Sequence, residues 1–400
     1  MQFSPQQDKA LLAVNEWLKD PDSQLFRLFG YAGTGKTTLA KHLAQGVTGG
    51  VLFAAFTGKA AHVLQTKGCE GASTIHSLIY RPVDKSRKIL EELEAKLAEL
   101  KARDPDEQDL DEEARLLQAL KAERENLRRP FFHLNLESPV REAALVVVDE
   151  CSMVDTAMAH DLLSFGTKVL VLGDPAQLPP VAGGGYFTEH APDFMLTEIH
   201  RQAADNPIIA MATKIRGARM PTYGQYGDSC VVSSFDMQMA LAADQILVGK
   251  NVTRKKLNAR IRTQLGRSSA EPEPGDRIVC LQNNHQEGLL NGALWEVQGV
   301  TKHKVSPDIA ALHIKSEDTG ANVEVDAFLH YFRGQEPAFH QRGYADHFDY
   351  GYALTCHKSQ GSQWSHVLVL DESDSFRENK WRWLYTAVTR AADKVSVVVT

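Results

Sequence analysis

The chain has 400 residues, 43% hydrophobic and 24% charged, with 44 Lys and Arg against 51 Asp and Glu for a formal net charge of −7. That length calls for two or more domains, and the acidic balance argues against a uniformly basic nucleic-acid binder while leaving room for a locally basic groove. No apolar run approaches the ~20 residues of a membrane span, and five scattered cysteines without a C-x-x-C pair argue against zinc and disulfides and for a reducing compartment. The opening MQFSPQQD has neither a basic n-region nor an apolar h-region, so no signal peptide is expected.

In chain order, Leu25–Phe29 reads as a strand, residues 30–37 (GYAGTGKT) as a loop of the pattern G-x-x-x-x-G-K-[ST], and Leu39–Leu43 as the helix after it. Gly30, Gly33 and Gly35 let the backbone fold into a nest of N–H groups for phosphate oxygens. The helix adds the positive end of its dipole. Lys36 is expected on the β- and γ-phosphates and the Thr37 hydroxyl on Mg²⁺; Ala32, Thr34 and Thr38 complete the loop. The segment therefore predicts binding of a nucleoside triphosphate.

Further short apolar runs follow at Val51–Phe56, Leu145–Val148, Val169–Leu172, Ile246–Val248, Val367–Leu370 and Val395–Val399. Such runs suit strands buried on both faces of a parallel sheet, and helical patterns between them make the class α/β. Two regions depart from this rhythm. Leu93, Leu97 and Leu100, then Leu110, Leu117, Leu120 and Leu127, form two apolar stripes at helical spacing separated by Pro105. They predict a helical hairpin whose tip, Asp104 to Glu113, has seven acidic residues and no basic one. A solvated spacer and a functional arm both fit. From Trp295 to Gly343, short alternating segments broken by Pro, Gly and Asp predict a small β-barrel.

Two strand ends carry candidate chemistry. Leu145–Val148 runs into Asp149 and Glu150; downstream of a phosphate loop, Asp149 is assigned to the metal and Glu150 to the base that takes a proton from water. Val169–Leu172 leads to Gly173–Pro180, where Gln177 suits sensing of the γ-phosphate or the attacking water. A plain turn built by Pro and Asp is the alternative.

At this point the chain resembles superfamily 1 DNA helicases of the RecD-like, Dda-type group over almost its whole length. Phe3–Gln7 resembles the adenine-reading glutamine motif, Gly30–Thr38 motif I, Ala54–Ala61 motif Ia (with Phe56 where Pro is usual) and Ser73–Ser77 motif Ib. Val148–Met153 is similar to motif II, Gly173–Val181 to motif III, Leu196–Gln202 to motif IV, Thr355–Trp364 to motif V and Leu384–Ala391 to motif VI.

The resemblance implies two RecA-like lobes. Residues 1–190 form the ATP-binding lobe 1A with a helical arm or pin (1B) inserted at 84–135. Residues 191–400 form lobe 2A with a small SH3-like β-barrel (2B) inserted at 297–345. It implies ATP and Mg²⁺ as cofactors, Gln7 and Gly361 at the nucleotide, and Arg201 and Arg390 on its γ-phosphate. Single-stranded DNA and fork junctions are the implied partners, contacted by Thr57, Thr74, His76, Asn291, Thr355, His357 and Ser359, with 5′-to-3′ movement in the cytoplasm of a bacterial or phage-infected cell. A single-strand-binding, replication or recombination protein is the expected partner of the arm if the arm docks; no membrane is expected. Phe131 and Phe132, after the arm, are expected as core aromatics, with a strand-splitting wedge as the alternative.

Overall fold

The computed structural model describes residues 3–82, 88–101, 112–113, 115–120, 132–179, 185–198, 206–284, 287–303, 306–335, 337 and 345–399. In chain order the first strands are β1 (Leu25–Gly30), β2 (Val51–Ala55), β3 (Ser73–Thr74), β4 (Tyr80–Pro82), β5 (Phe132–Leu134), β6 (Leu145–Asp149), β7 (Val169–Gly173) and β8 (Phe194–Leu196). Six of them form a parallel sheet in the order β3-β2-β6-β7-β1-β8, while β4 and β5 pair as a separate ribbon.

Period-two alternation explains why the apolar runs are continuous. Leu145 and Val147 of β6 pack with Val14, Leu39 and Leu43 of the helices Pro5–Lys19 and Lys36–Gln45 on one face. Val146 and Val148 pack with Ile75, Ile79, Ala159 and Leu162 on the other. A strand covered on both faces has no polar side.

The second unit contains β9 (Gly224–Tyr226), β10 (Ser229–Val232) and β11 (Gln245–Val248), then leaves for β12 (Arg277–Cys280), β13 (Leu294–Lys302), β14 (Ile309–Ser316), β15 (Asn322–Phe328) and β16 (Phe348–Tyr350). It returns for β17 (Ala353–Thr355), β18 (Trp364–Asp371) and β19 (Ala391–Val399). The second six-stranded sheet has the order β17-β11-β18-β19-β10-β9, parallel except at β9. The helices Pro207–Arg216 and Lys380–Val388 cover one face, through Met211, Ile215, Trp383 and Leu384; Asn251–Gln264 covers the other, through Leu257 and Ile261.

The excursion forms a five-stranded antiparallel sheet, β15-β14-β13-β12-β16, with its own core of Ile278, Trp295, Val297, Leu312, Ile314 and Phe348. It is wider than the 297–345 expected, because β12 pairs with β13 and β16 then pairs with β12. Neither looks like part of a barrel in the sequence: each is a run of only three or four residues.

Lys88–Lys101 is helical, as are residues 115–120. Leu100 and Leu120 are buried, whereas Leu117 is 47% exposed. Most of the acidic tip lies outside the described residues. Phe131 does too, but Phe132 is 42% exposed, so it is not a core aromatic: Tyr80 and Leu134 of the same ribbon pack on the first sheet's core, while Phe132 has the His76 ring edge-on at 4.3 Å. Among the described residues no helix is long and apolar enough to cross a membrane.

Candidate functional site

Three neighbouring strands, β6, β7 and β1, end at the same carboxyl edge, where ligand sites of open parallel sheets form. β1 delivers the Gly30–Thr37 loop, β6 delivers Asp149 and Glu150, and β7 delivers Asp174 and Gln177. Across from them stands the end of the helix Lys380–Val388 with Arg390. Ala32, Gly33, Lys36, Thr37, Asp149, Glu150, Gln177, Gly361 and Arg390 line one cavity of about 200 Å³.

The loop geometry has local causes. Gly33 and Gly35 sit at φ 80° and 78°, a left-handed backbone that side chains resist. The helix Lys36–Gln45 starts with no side-chain cap, so its first N–H groups remain for a ligand. Lys36 Nζ donates to the carbonyls of Gly30 (2.6 Å) and Tyr31 (3.2 Å). Thr34 Oγ1 also donates to Tyr31 O at 2.8 Å, while Thr38 is exposed on the first turn of the helix. Gln7 closes a capping box with Ser4 and extends Nε2 to Thr34 O at 3.0 Å. The structure thus brings Gln7 against the loop.

Thr37 Oγ1 donates to Asp149 Oδ2 at 2.9 Å. A hydroxyl beside a carboxylate suits a hard cation that takes its other ligands from water and phosphate; among the described residues no group of three or more His, Cys, Asp or Glu could hold a metal by itself. Burial, and then the neighbouring Glu150 carboxylate, push Asp149 above the ordinary carboxylate range, so the pair of acids favours an incoming cation.

Glu150 is one of three described non-glycine residues at positive φ, at 51°. Such strain tends to persist where a side chain must be aimed, and here it turns the carboxylate toward Arg390, whose Nη1 lies 3.8 Å from Oε1. With its amide oriented to satisfy both neighbours, Gln177 donates to Glu150 Oε2 at 2.9 Å and accepts from Arg390 Nη2 at 3.3 Å. Arg390 also donates to Ser362 O at 3.3 Å, while its buried Nε has no partner among the described residues. An unsatisfied guanidinium donor in a cavity floored by backbone N–H groups fits a phosphate oxygen. Gly361, at φ 77°, could not carry a Cβ, which would sit 2.8 Å from that of Ala60. Arg201 lies outside the described residues.

Two residues that sequence reasoning passed over tie the sheets together. Tyr385 Oη donates to Asp174 Oδ2 at 2.7 Å and accepts from Ala32 N at 2.9 Å. Burial, followed by the Asp174 charge, raises the phenol well above its usual value. Asp174 is likewise raised by burial, against the lowering pull of Lys36 and of the Tyr385 bond. Just beyond, Leu178 is held at both ends, its N–H by Thr386 Oγ1 and its carbonyl by Gln360 Nε2, each at 2.8 Å. The available signal was a tyrosine and a threonine inside the otherwise apolar stretch Trp383–Val388.

The expected strand contacts divide. Thr57 caps the helix Gly58–Thr66, accepting from Ala60 N at 3.2 Å. Asn291 Oδ1 accepts from Lys358 Nζ at 3.2 Å. Thr355 is half-buried at the end of β17, and His357 lies beside Phe376 with its pKa lowered by burial. His76 lies between Tyr80, tilted at 54°, and Phe132, edge-on at 87°. Thr74 and Ser359 point inward instead: Thr74 Oγ1 caps the helix Ile75–Ile79 by accepting from Ser77 N at 3.0 Å, and Ser359, fully buried, donates to Cys356 O at 2.7 Å.

Comparison with known proteins follows the same outline. A family model described as an AAA domain matches residues 2–235, and one described as a UvrD-like helicase C-terminal domain matches residues 350–398. The ATP-dependent RecD2 DNA helicase of Deinococcus radiodurans is 28% identical over 403 aligned residues, taking in 93% of this chain and 46% of that protein. The chain thus spans about half the length of this curated relative. A Bacteroides Pif1 helicase solved in complex with ADP-AlF3 and ssDNA has a TM-score of 0.52 at 17% identity, covering 100% of this chain and 94% of that one. Two coordinating Pif1 helicases, solved to explain unwinding at forked dsDNA, give 0.53 at 17%, covering 100% and 93%. At these identities the likeness to the solved structures is one of fold.

Proposed function

The chain belongs to the AAA-domain family, and from that premise we propose that it is an ATP- and Mg²⁺-dependent DNA helicase that moves 5′ to 3′ along single-stranded DNA and separates duplex at a fork. The observation that carries this reading is the Glu150–Gln177–Arg390 cluster, which faces the phosphate loop and draws on both parallel sheets. A site completed only when two units meet suits hydrolysis coupled to movement. The fold likeness and the RecD2 relative support the substrate class; the direction rests on the motif resemblance.

In this reading the loop amides and Lys36 bind the phosphates, and Gln7 sits where it can meet the base. Thr37 and Asp149 would hold Mg²⁺, which would supply neutralisation of the phosphate charge. Glu150, aimed by its left-handed backbone, takes the proton of the attacking water, and Gln177 orients that water. Arg390, with Arg201, stabilises the departing phosphoryl charge, a contribution on the order of 10³–10⁵ in rate for an arginine finger. Losing the γ-phosphate removes the charge-assisted bonds that close the two units. The strand runs across the other edge, past Thr57, His76, Asn291, Thr355 and His357, with Thr74 and Ser359 bracing the backbone beneath. The organisation is lobe 1A over 1–190 with a helical arm at 84–135, and lobe 2A over 191–400 with an SH3-like insertion around 297–345, here extended by β12 and β16.

The deciding experiment measures ATP turnover with and without an oligonucleotide, alongside strand separation of a forked duplex. Turnover is expected to rise with oligonucleotide, and forks with a 5′ single-stranded arm are expected to open. Turnover indifferent to DNA, with no binding of the oligonucleotide, would overturn the proposal.

A further inference from the structure

Lys59 stands in the first turn of the helix Gly58–Thr66, two residues beyond Thr57, and is only 8% exposed. A buried ammonium needs an anionic partner. It finds Asp318, 259 residues away at the tip of the β14–β15 hairpin, whose carboxylate accepts from Lys59 Nζ. The tip is braced: Ser316 Oγ accepts from the N–H groups of Asp318 (3.3 Å) and Thr319 (3.2 Å), and Gly320 N donates to Ser316 O at 3.0 Å. The adjacent Glu317 is committed to Arg277 through two bonds of 2.5 and 2.7 Å. Asp318 is therefore the tip acid that reaches the first lobe.

The neighbourhood is the proposed strand path. Gly58 lies against Leu290, which would stand 2.8 Å from a Cβ at that position, and Leu290 precedes Asn291. Asn291 Oδ1 holds Lys358 Nζ, a second ammonium whose pKa burial lowers. Two cations thus flank one seam, and each is held by a side-chain oxygen of the inserted region, where a phosphodiester oxygen could serve equally well. A half-buried ion pair contributes little net stability, because desolvation offsets attraction. Exchanging one oxyanion for another on Lys59 is correspondingly cheap.

We propose that Lys59 is a phosphate contact for the single strand and that Asp318 occupies it as a carboxylate stand-in, so that the hairpin tip must release Lys59 before a strand can take it. The inference deepens the strand-binding reading above and rests on it.

The test is equilibrium binding of a fluorescently labelled oligothymidylate to the full chain over a series of salt concentrations, without nucleotide. The proteins are wild type, D318N, D318A, K59A and the K59A/D318N double variant, with thermal melts reporting folding. Both Asp318 variants are expected to bind about 3–10-fold tighter, the scale of one ion pair. K59A is expected to bind more weakly, with a log K against log salt slope shallower by about one. Adding D318N to K59A is expected to gain nothing. Folded Asp318 variants that bind no tighter than wild type would overturn the inference, as would an equal gain in the K59A background, which would mark a general charge effect. Wild-type protein that binds no oligonucleotide would instead remove the helicase reading itself.

Discussion

Tyr385→Phe tests the coupling between the two lobes with the loss of a single oxygen. The phenol makes two bonds, one to the Asp174 carboxylate at 2.7 Å and one from Ala32 N at 2.9 Å. A bond to a charged group is worth about 1.5–3 kcal/mol and a neutral one about 0.5–1.5. Asp174 keeps its bond from Ala176 N at 3.0 Å. That remaining donor holds the loss toward the lower end, about 2 kcal/mol. Thr386 and Gln360 still grip Leu178, so the variant should fold. If the bonds matter in the closed, hydrolysing arrangement, about 2 kcal/mol lowers kcat roughly 30-fold with little change in KM for ATP. Steady-state turnover at saturating oligonucleotide, paired with a thermal melt, measures it. A kcat within twofold of wild type, or a lower melting temperature with full turnover per folded molecule, would refute the coupling role.

Glu150→Gln should still bind ATP but lose at least about 100-fold in kcat, the lower bound for a general base; a filter-binding assay beside turnover separates the two. Arg262→Ala should destabilise the second lobe by about 3 kcal/mol, because it removes the guanidinium that grips the fully buried Asp276 at 2.9 Å through both Nε and Nη2 and leaves that carboxylate with Arg267 at 3.5 Å, the Tyr352 hydroxyl and the Glu273 N–H; denaturant unfolding reads this directly. Burial lowers the pKa of both His357 and His366. The folded chain therefore binds fewer protons there than the unfolded chain, so the stability from these two sites is full above about pH 6.5 and declines as pH falls through that value. A melt at pH 7.5 and 5.5 should show the drop, and His366→Gln should reduce it.

The sequence was most legible where function is written into contiguous residues. The phosphate loop has its spacing inside eight residues, and β6 announces itself by four apolar residues ending in two acids. Where a side chain's use depends on backbone angles, the letters mislead. Thr74 and Ser359 look like available hydroxyls, yet one caps a helix and the other bonds a carbonyl three residues back. Phe132 looks like core because aromatics usually are, yet it is 42% exposed on a ribbon that meets the first core through Tyr80 and Leu134. Lys59 and Asp318 carry no mutual signal across 259 residues, and the short runs β12 and β16 become strands through partners distant in sequence, β12 on β13 and β16 on β12.

Beside the apolar packing of Leu178, Ala32 and Ala176 on the second core, several contacts among the described residues that cross between the lobes at the site are polar. Tyr385 to Ala32 and Asp174, Thr386 and Gln360 to Leu178, Arg390 to Gln177, and Lys59 to Asp318 are each a bond or two. A large apolar interface would hold the lobes together through any ligand change, since its free energy scales with area and has no exchange partner. A hydrogen bond of about 1 kcal/mol net is different. It can be traded for an equivalent bond to a phosphate oxygen with little change in free energy, so on the proposed helicase reading nucleotide and strand phosphate would each be able to displace a lobe–lobe contact. On that reading Lys59, already matched by Asp318, would admit an anionic strand by exchange of one oxyanion for another, a trade that keeps binding reversible.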